Sequence, residues 1–447
     1  MGKIFCWFFL SLLGYSWLAY ATARADFAPV LLLFFVLFSG YAWFLHHAGT
    51  REEQAIPASG MWKTGLVAAI AFRLVWLGAL PALSDDYFRF IWDGRLLASG
   101  QNPYLILPTD HTDWLLFNQL NSPSYFTVYP PLHQACFALG AWLFPDSVFN
   151  HVLVLRLIIL LAELGNIFLI TRLLSYLKKP TQAVFLYALN PLVIVELTGN
   201  LHFEGVMTFF FLLAVWLLIV KKQWVWSAVS WGAAISIKLL PLLFLPLLVR
   251  RLGWGQGLSY FGLVLLVNGV LFAPFFSWSL VENLTSSLDL YVQKFEFNAS
   301  FYYLVRAIGF WSAGSNIIQW AGPGLAAVAM ALMLALIGWD YRRKSPDFGP
   351  RFWMLILLMH TLYLAFATTV HPWYVVPLVA YSVFTPWRYA IVWSGGAVLS
   401  YAAYANNSFT ENSWLVALEY TAVYGWLAVE AVRVLRTKSP SKSTVLR

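Results

Sequence analysis

Charge is scarce in this chain of 447 residues: Asp, Glu, Lys and Arg together make up 11% of it. A soluble globular chain carries about 25%, so an ordinary cytosolic enzyme is excluded. Cysteine is almost missing as well. The two that occur, Cys6 and Cys136, stand in separate apolar segments, which excludes a disulfide framework and a thiolate metal centre. No stretch is long enough for a soluble domain, since the segments between apolar runs reach only about 40–50 residues. No internal repeat of fixed period is visible, which argues against a transporter built from inverted repeats. What is present in abundance is apolar: 60% hydrophobic residues, with 23 Trp, 22 Tyr and 36 Phe. That abundance excludes disorder and suits membrane helices bounded by aromatic belts. The net charge of +8 comes from short basic clusters between apolar runs, so it bears on membrane orientation and not on nucleic acid.

Apolar runs of the length a bilayer requires recur near 4–21, 27–46, 62–81, 150–174, 181–198, 204–220, 258–277, 318–338, 352–370, 373–387, 389–405 and 414–434. The expected architecture is an all-α polytopic membrane protein of about twelve spans, one integral unit over 1–447. Lys178-Lys179, Lys221-Lys222, Arg250-Arg251, Arg342-Arg343-Lys344 and the tail from Arg433 belong in the cytoplasm by the positive-inside rule. Trp224 to Val249 is basic at both ends and carries Lys238 and Pro241 in its middle, so it reads as a broken hairpin that enters and returns. Pro131 to Phe144 reads as a second, half-inserted helix. Segments 82–130 and 278–317 then face outward. The N-terminus has some look of a signal peptide, with Ala21-Thr22-Ala23 before Arg24. Trp7, Trp17 and Tyr20 are bulky for a cleaved segment, so a retained first helix is expected.

Chemistry concentrates in a few places. Where the chain leaves the third run it reads Ser84-Asp85-Asp86-Tyr87-Phe88-Arg89, then Asp93-Gly94-Arg95. On a helix Asp86, Arg89 and Asp93 share one face. A Ser84 cap with acids at a helix N-terminus accounts for part of this. A carboxylate that takes a proton from a hydroxyl, with guanidinium groups for a phosphate, accounts for the rest. Asp110, His111 and Asp113 form an acidic run among turn formers, read as a solvated loop and not a metal site. Tyr129-Pro130-Pro131 opens the half-inserted helix. A second cluster crowds the turn after Asn190-Pro191, with Glu196, Asn200, His202 and Glu204. Ionisable groups at membrane depth cost on the order of 2.5–3.5 kcal/mol each unless paired or functional. Lys238, on the broken hairpin, calls for an anion such as a lipid phosphate. Arg156 and Glu163, seven residues apart, are expected to pair with each other as structural glue. Arg73 is read the same way, and His371-Pro372-Trp373-Tyr374 marks an outward helix end.

In order, Ser84-Asp85-Asp86, Trp92-Asp93-Gly94-Arg95, Gly100 to Tyr104, Tyr129-Pro130-Pro131, Asn190-Pro191, His202-Phe203-Glu204-Gly205, Ile237 to Pro241, Phe297-Asn298-Ala299-Ser300 and His371 to Tyr374 resemble the signatures of GT-C superfamily glycosyltransferases. The nearest likeness is to polyprenol-phosphate-mannose-dependent mannosyltransferases, and more distantly to the catalytic subunit of the first GPI mannosyltransferase. The resemblance covers roughly 62–390; the helix pair at 4–46 stands outside it, and Glu204 replaces an Asp common in relatives. It implies a GT-C fold and inverting transfer of a hexose, mannose by analogy, from a polyprenyl-phosphate donor to a lipid or glycan acceptor. The reaction would lie at the outer face of a bacterial inner membrane, without cofactor or metal. The resemblance makes Asp85 or Asp86 the base. Substrate-binding roles are expected for Arg89, Asp93, Arg95, Tyr129, His202, Glu204, Lys238, His371 and Tyr374. The alternative is a transporter or flippase of a lipid-linked sugar. Such a protein would place its ions at the midplane of two related halves, and here they gather on one face.

Overall fold

A backbone in hydrocarbon must satisfy its own N–H and C=O groups, and the apolar runs do so as helices. The computed structural model describes residues 2–49, 59–112, 116–342, 347–405 and 409–438, and among them every regular element is helical. Asp113, Arg343-Lys344 and the chain beyond residue 438 lie outside the described residues. Seven helices are long and apolar enough to cross a membrane: Gly2–Tyr20, Phe27–His47, Gly60–Gly78, Val148–Tyr176, Trp254–Phe275, Ile318–Tyr341 and Ser413–Val434. Thr181–Ala188 and Pro191–Gly199 are long and apolar enough only when taken together, and they are bent by 55° at the break between them. The protein is an all-α, polytopic membrane protein.

The expected dozen spans are thus seven or eight membrane-length ones, and the residues explain why. Glu204–Ile219 and Pro350–Phe366 form as shorter apolar helices. Segments 373–387 and 389–405 split into Pro372–Val375, Val376–Ser382, Tyr389–Gly396 and Ala397–Ala405, with Pro372, Pro377 and the Gly395-Gly396 pair interrupting regular helix.

Breaks leave carbonyls without partners, and buried arginines supply the donors. At the break between Thr181–Ala188 and Pro191–Gly199 the Asn190 side chain caps the second helix by accepting from the Val193 N–H at 3.3 Å, and Ile194–Gly199 widens into a π-helical turn. Arg156 donates to the carbonyls of Thr198, Gly199 and Ala79 at 2.7, 3.2 and 2.5 Å. Arg73 donates to the Ala188 carbonyl at 2.7 Å and pairs with Glu163 at 2.9 Å, both side chains fully buried. The expected Arg156–Glu163 pair therefore does not form. Glu163 takes Arg73, and Arg156 is spent on backbone.

The broken hairpin forms as expected. Trp224–Ile237 runs to Lys238, where the chain turns extended, and Leu240–Phe244 and Pro246–Leu252 bring it back. Lys222 and Trp224 at one end line the same cavity as Arg251 and Leu252 at the other, together with Tyr176 and Leu177. The short helix Pro131–Leu143 meets the elbow: the Leu132 N–H donates to Ser236 Oγ at 3.1 Å, and His133 Nδ1 lies 3.1 Å from the Ile237 carbonyl. This short helix also packs along Asp86–Ala98 so closely that a Cβ on Gly94 would stand 2.5 Å from the Phe137 carbonyl oxygen. Gly94 is required there. In a background with Cys6 and Cys136 replaced by Ser, cysteines at Lys222 and Gln256 are expected to react with an impermeant maleimide from the same side. Labelling from opposite sides would rule the hairpin out.

Candidate active site

The two adjacent carboxylates sit at the start of Asp86–Ala98, where an acid is favoured by the helix dipole. The cap residue is Asp85 and not the expected Ser84, whose Oγ instead accepts the Asp86 N–H at 3.3 Å. Asn121 Nδ2 bridges the pair, donating to Asp85 Oδ1 at 2.9 Å and to Asp86 Oδ1 at 2.8 Å. Each acid then has a cation of its own. Arg24 Nη1 lies 2.8 Å from Asp85 Oδ2, and His202 Nε2 lies 3.7 Å from Asp86 Oδ2.

Behind His202 the arrangement continues inward. Its Nδ1 lies 3.0 Å from Glu196 Oε2, and Glu196 also accepts from the Tyr401 hydroxyl at 2.5 Å and from Asn200 Nδ2 at 3.1 Å. The imidazole is stacked on Trp373 at 3.7 Å, Trp373 on His371 at 4.4 Å, and His371 on Phe297 at 4.9 Å. Phe297 reaches Tyr404 at 5.8 Å, and the Arg24 guanidinium lies 3.5 Å above the Tyr404 ring. Arg24, Tyr404, Phe297, His371, Trp373, His202, Asp86, Asn121 and Asp85 thereby form a closed circuit of contacts.

The electrostatics follow from these neighbours. Burial works against a charged Asp86, but the hydrogen bond and charge of His202, with His371 and Asn121, outweigh it and bring its carboxyl down to about 2. Burial likewise opposes a charged His202, and Asp86, Glu196 and Glu204 overcome it, raising the imidazole to about 9. His371 goes the other way: burial, with His202, Lys238 and Arg24 adding to it against Asp86, lowers it to about 3. One indole thus separates an imidazolium from a neutral imidazole. Because the folded value of His202 exceeds its ordinary 6.5, the stability it contributes is complete below about 6.5 and is lost as pH rises through about 9. The melting temperature of the protein in detergent is expected to fall across that window, and to fall less in His202→Gln. Parallel curves would show that His202 is neutral in the fold.

Lys238, at the hairpin elbow, forms an ion pair with Glu204, and its Nζ lies 5.3 Å from the Tyr374 ring centroid. The lysine therefore already has an acid in the fold, contrary to the reading that only a ligand could supply one. The expected residues divide accordingly. Asp85, Asp86, His202 and His371 meet in one circuit, with Glu204, Lys238 and Tyr374 on its flank. Arg89 and Asp93 face each other at 2.8 Å; Arg89 donates to the Ser122 and Tyr125 carbonyls at 3.0 and 2.9 Å, and Asp93 accepts from Gln134 at 3.2 Å. Both brace the loop over the helix. Arg95 stands about 13 Å further along the helix, where its charge bears on Asp146 and His151. Tyr129 packs its ring on Phe90 and His133 at 5.3 and 4.9 Å.

Three contributors escaped the sequence reading: Arg24, Asn121 and Tyr404. Arg24 did leave a signal, as a lone cation between two apolar helices on the side where basic residues are scarce. Asn121 and Tyr404 left none. Among the described residues no three His, Cys, Asp or Glu side chains converge as ligands for a metal ion. Asp85 and Asp86 direct their oxygens to Arg24, Asn121 and His202.

Comparison with known proteins adds an independent line. A family described as alpha-(1->6)-mannopyranosyltransferase, N-terminal domain, matches residues 9–253. The chain is similar to the alpha-(1->6)-mannopyranosyltransferase A of Corynebacterium glutamicum, 25% identical over 257 residues, which is 54% of this chain and 50% of that one. It is also similar to the protein of the same name from Mycobacterium tuberculosis, 30% identical over 189 residues, covering 40% of this chain and 36% of the relative. The chain thus spans about half the length, or less, of these curated relatives. The matched stretch contains Arg24, both aspartates, Asn121, His202 and Lys238, and it exceeds half of the chain. On that match the chain belongs to the alpha-(1->6)-mannopyranosyltransferase N-terminal domain family.

Proposed function

We propose that this protein is an inverting mannosyltransferase that takes mannose from a polyprenyl-phosphate donor and gives it to a hydroxyl of a lipid or glycan acceptor. The observation that carries the reading is Asp86, held ionised by His202 and Asn121 at the surface end of a buried Glu196–His202 chain. The names of the relatives support mannosyl transfer and an α-linked product. In the reaction the acceptor oxygen attacks the anomeric carbon as the bond to the phosphate oxygen breaks, and the hydroxyl proton passes to Asp86. A carboxylate near 2 is a weak base, so the proton moves late, once bond-making has acidified the hydroxyl. A transition state with oxocarbenium character suits that timing. The polyprenyl phosphate leaves with its charge toward Lys238, which exchanges Glu204 for a phosphate oxygen. No metal or cofactor is assigned a part.

The sidedness proposed is outward. Lys222 and Arg251 line one cavity at the end of the hairpin opposite Lys238 and Glu204, and a basic end faces the cytoplasm. The site would then open at the outer face of a bacterial inner membrane. Purified protein in lipid nanodiscs, given radiolabelled polyprenyl-phosphate mannose and a crude fraction of lipid and glycan acceptors, should yield labelled α-linked product. Movement of intact donor between leaflets without bond transfer would overturn the reading. Replacing both partners, Lys238→Met with Glu204→Gln, avoids stranding a buried acid. It is expected to raise the donor KM about tenfold with little change in the acceptor KM. An unchanged donor KM would return the pair to a structural role.

A further inference from the structure

The N-terminal helix pair lies almost wholly within the stretch that the family match covers, and its turn delivers a guanidinium to the carboxylate pair. The turn is fixed on both sides. Thr22 Oγ1 donates to the Trp17 carbonyl at 3.0 Å, the Ala23 N–H donates to Asp26 Oδ2 at 3.0 Å, and the Tyr20 hydroxyl donates to the Val75 carbonyl at 2.7 Å. Between these anchors Arg24 projects over the Tyr404 ring, 3.5 Å from its centroid, with Nη1 2.8 Å from Asp85 Oδ2. Its side chain is 24% exposed and that of Asp85 is 35%, so the pair borders the opening while resting on an aromatic floor.

Two neighbouring carboxylates repel, and Asn121 has one amide nitrogen to offer both. We propose that Arg24 is a positioning residue of the active site: it binds Asp85 so that Asn121 and His202 can hold Asp86 toward the acceptor hydroxyl. This rests on the reading of Asp86 as the base. Without the guanidinium, Asp85 competes for the Asn121 amide and for His202, and its charge pushes Asp86 out of register. Removing the charge of Asp85 as well removes that competition. A planar guanidinium lying flat on an aromatic ring while gripping a carboxylate is a role that lysine fills only in part.

The test is a double-mutant cycle in nanodiscs with transfer kinetics and melting measured on each variant. Arg24→Gln is expected to lower kcat about tenfold with both KM values nearly unchanged, and Arg24→Lys to lower it less. Arg24→Gln combined with Asp85→Asn is expected to be faster than Arg24→Gln alone. A double variant as slow as Arg24→Gln, with both melting early, would make Arg24 a structural clamp and overturn the proposal. Wild-type rates in Arg24→Gln would overturn it too, and if Asp86→Asn is inactive in the same series the assignment of the base survives. Full activity in Asp86→Asn, with Asp85→Asn inactive, would instead overturn that assignment and this inference with it.

Discussion

Asp86→Asn is expected to reduce mannosyl transfer by about 100–10,000-fold, the range that loss of a general base produces. The amide is nearly the size of the carboxylate, can still accept from Asn121 and leaves the helix that starts there unchanged, so expression and melting should stay close to wild type. The chemical loss is larger than the proton acceptor alone. Without the Asp86 charge, His202 keeps only Glu196 and the more distant Glu204 to hold its proton, and it becomes easier to neutralise. The variant should therefore show a shifted alkaline limb in its residual rate. Asp85→Asn should fall less, since Asp85 answers to Arg24 and not to the His202 chain. Near-normal turnover in both single variants would move the chemistry elsewhere.

The second large effect lies beside the break between Thr181–Ala188 and Pro191–Gly199. Glu163→Ala is expected to destabilise the fold by about 3–5 kcal/mol, because it leaves Arg73 buried without its counter-charge. It also strands the Tyr187 hydroxyl, which donates to Glu163 at 2.5 Å, and leaves Asn166 Nδ2 only the Gly205 carbonyl and the Tyr187 oxygen as acceptors. Replacing the pair together, Arg73→Met with Glu163→Gln, should recover part of the loss but not all. Arg73 also serves the carbonyls of Ala69 and Ala188 at 2.9 and 2.7 Å, and methionine offers no donor to either. Yield and melting temperature in detergent decide this; an intact Glu163→Ala protein would show that water reaches Arg73.

The lengths of the apolar runs were readable because the bilayer imposes them. The run at 27–46 became Phe27–His47 and that at 318–338 became Ile318–Tyr341. The elbow at Lys238 was readable because two basic flanks and Pro241 leave a single helix no consistent crossing. Partner choice was not readable. Glu163 is seven residues from Arg156 on one helix, yet it meets Arg73, ninety positions away, because helix packing and not spacing decides which faces touch. Arg89 is the same lesson. Its place one turn after Asp86 suggested a phosphate ligand, but the side chain points to the loop carbonyls of Ser122 and Tyr125, whose position depends on the fold of 116–130.

The circuit around Asp85 and Asp86 bears on the order of synthesis. Its links come from residues 24, 85–86, 121, 202, 297, 371–373 and 404, and none can be skipped without opening the ring. The two aspartates emerge from the ribosome more than three hundred residues before Tyr404, the floor beneath Arg24. A nascent chain therefore holds its carboxylates in an unfinished ring until Tyr404 has been made, so the site can close only after helices from both halves of the described chain have packed.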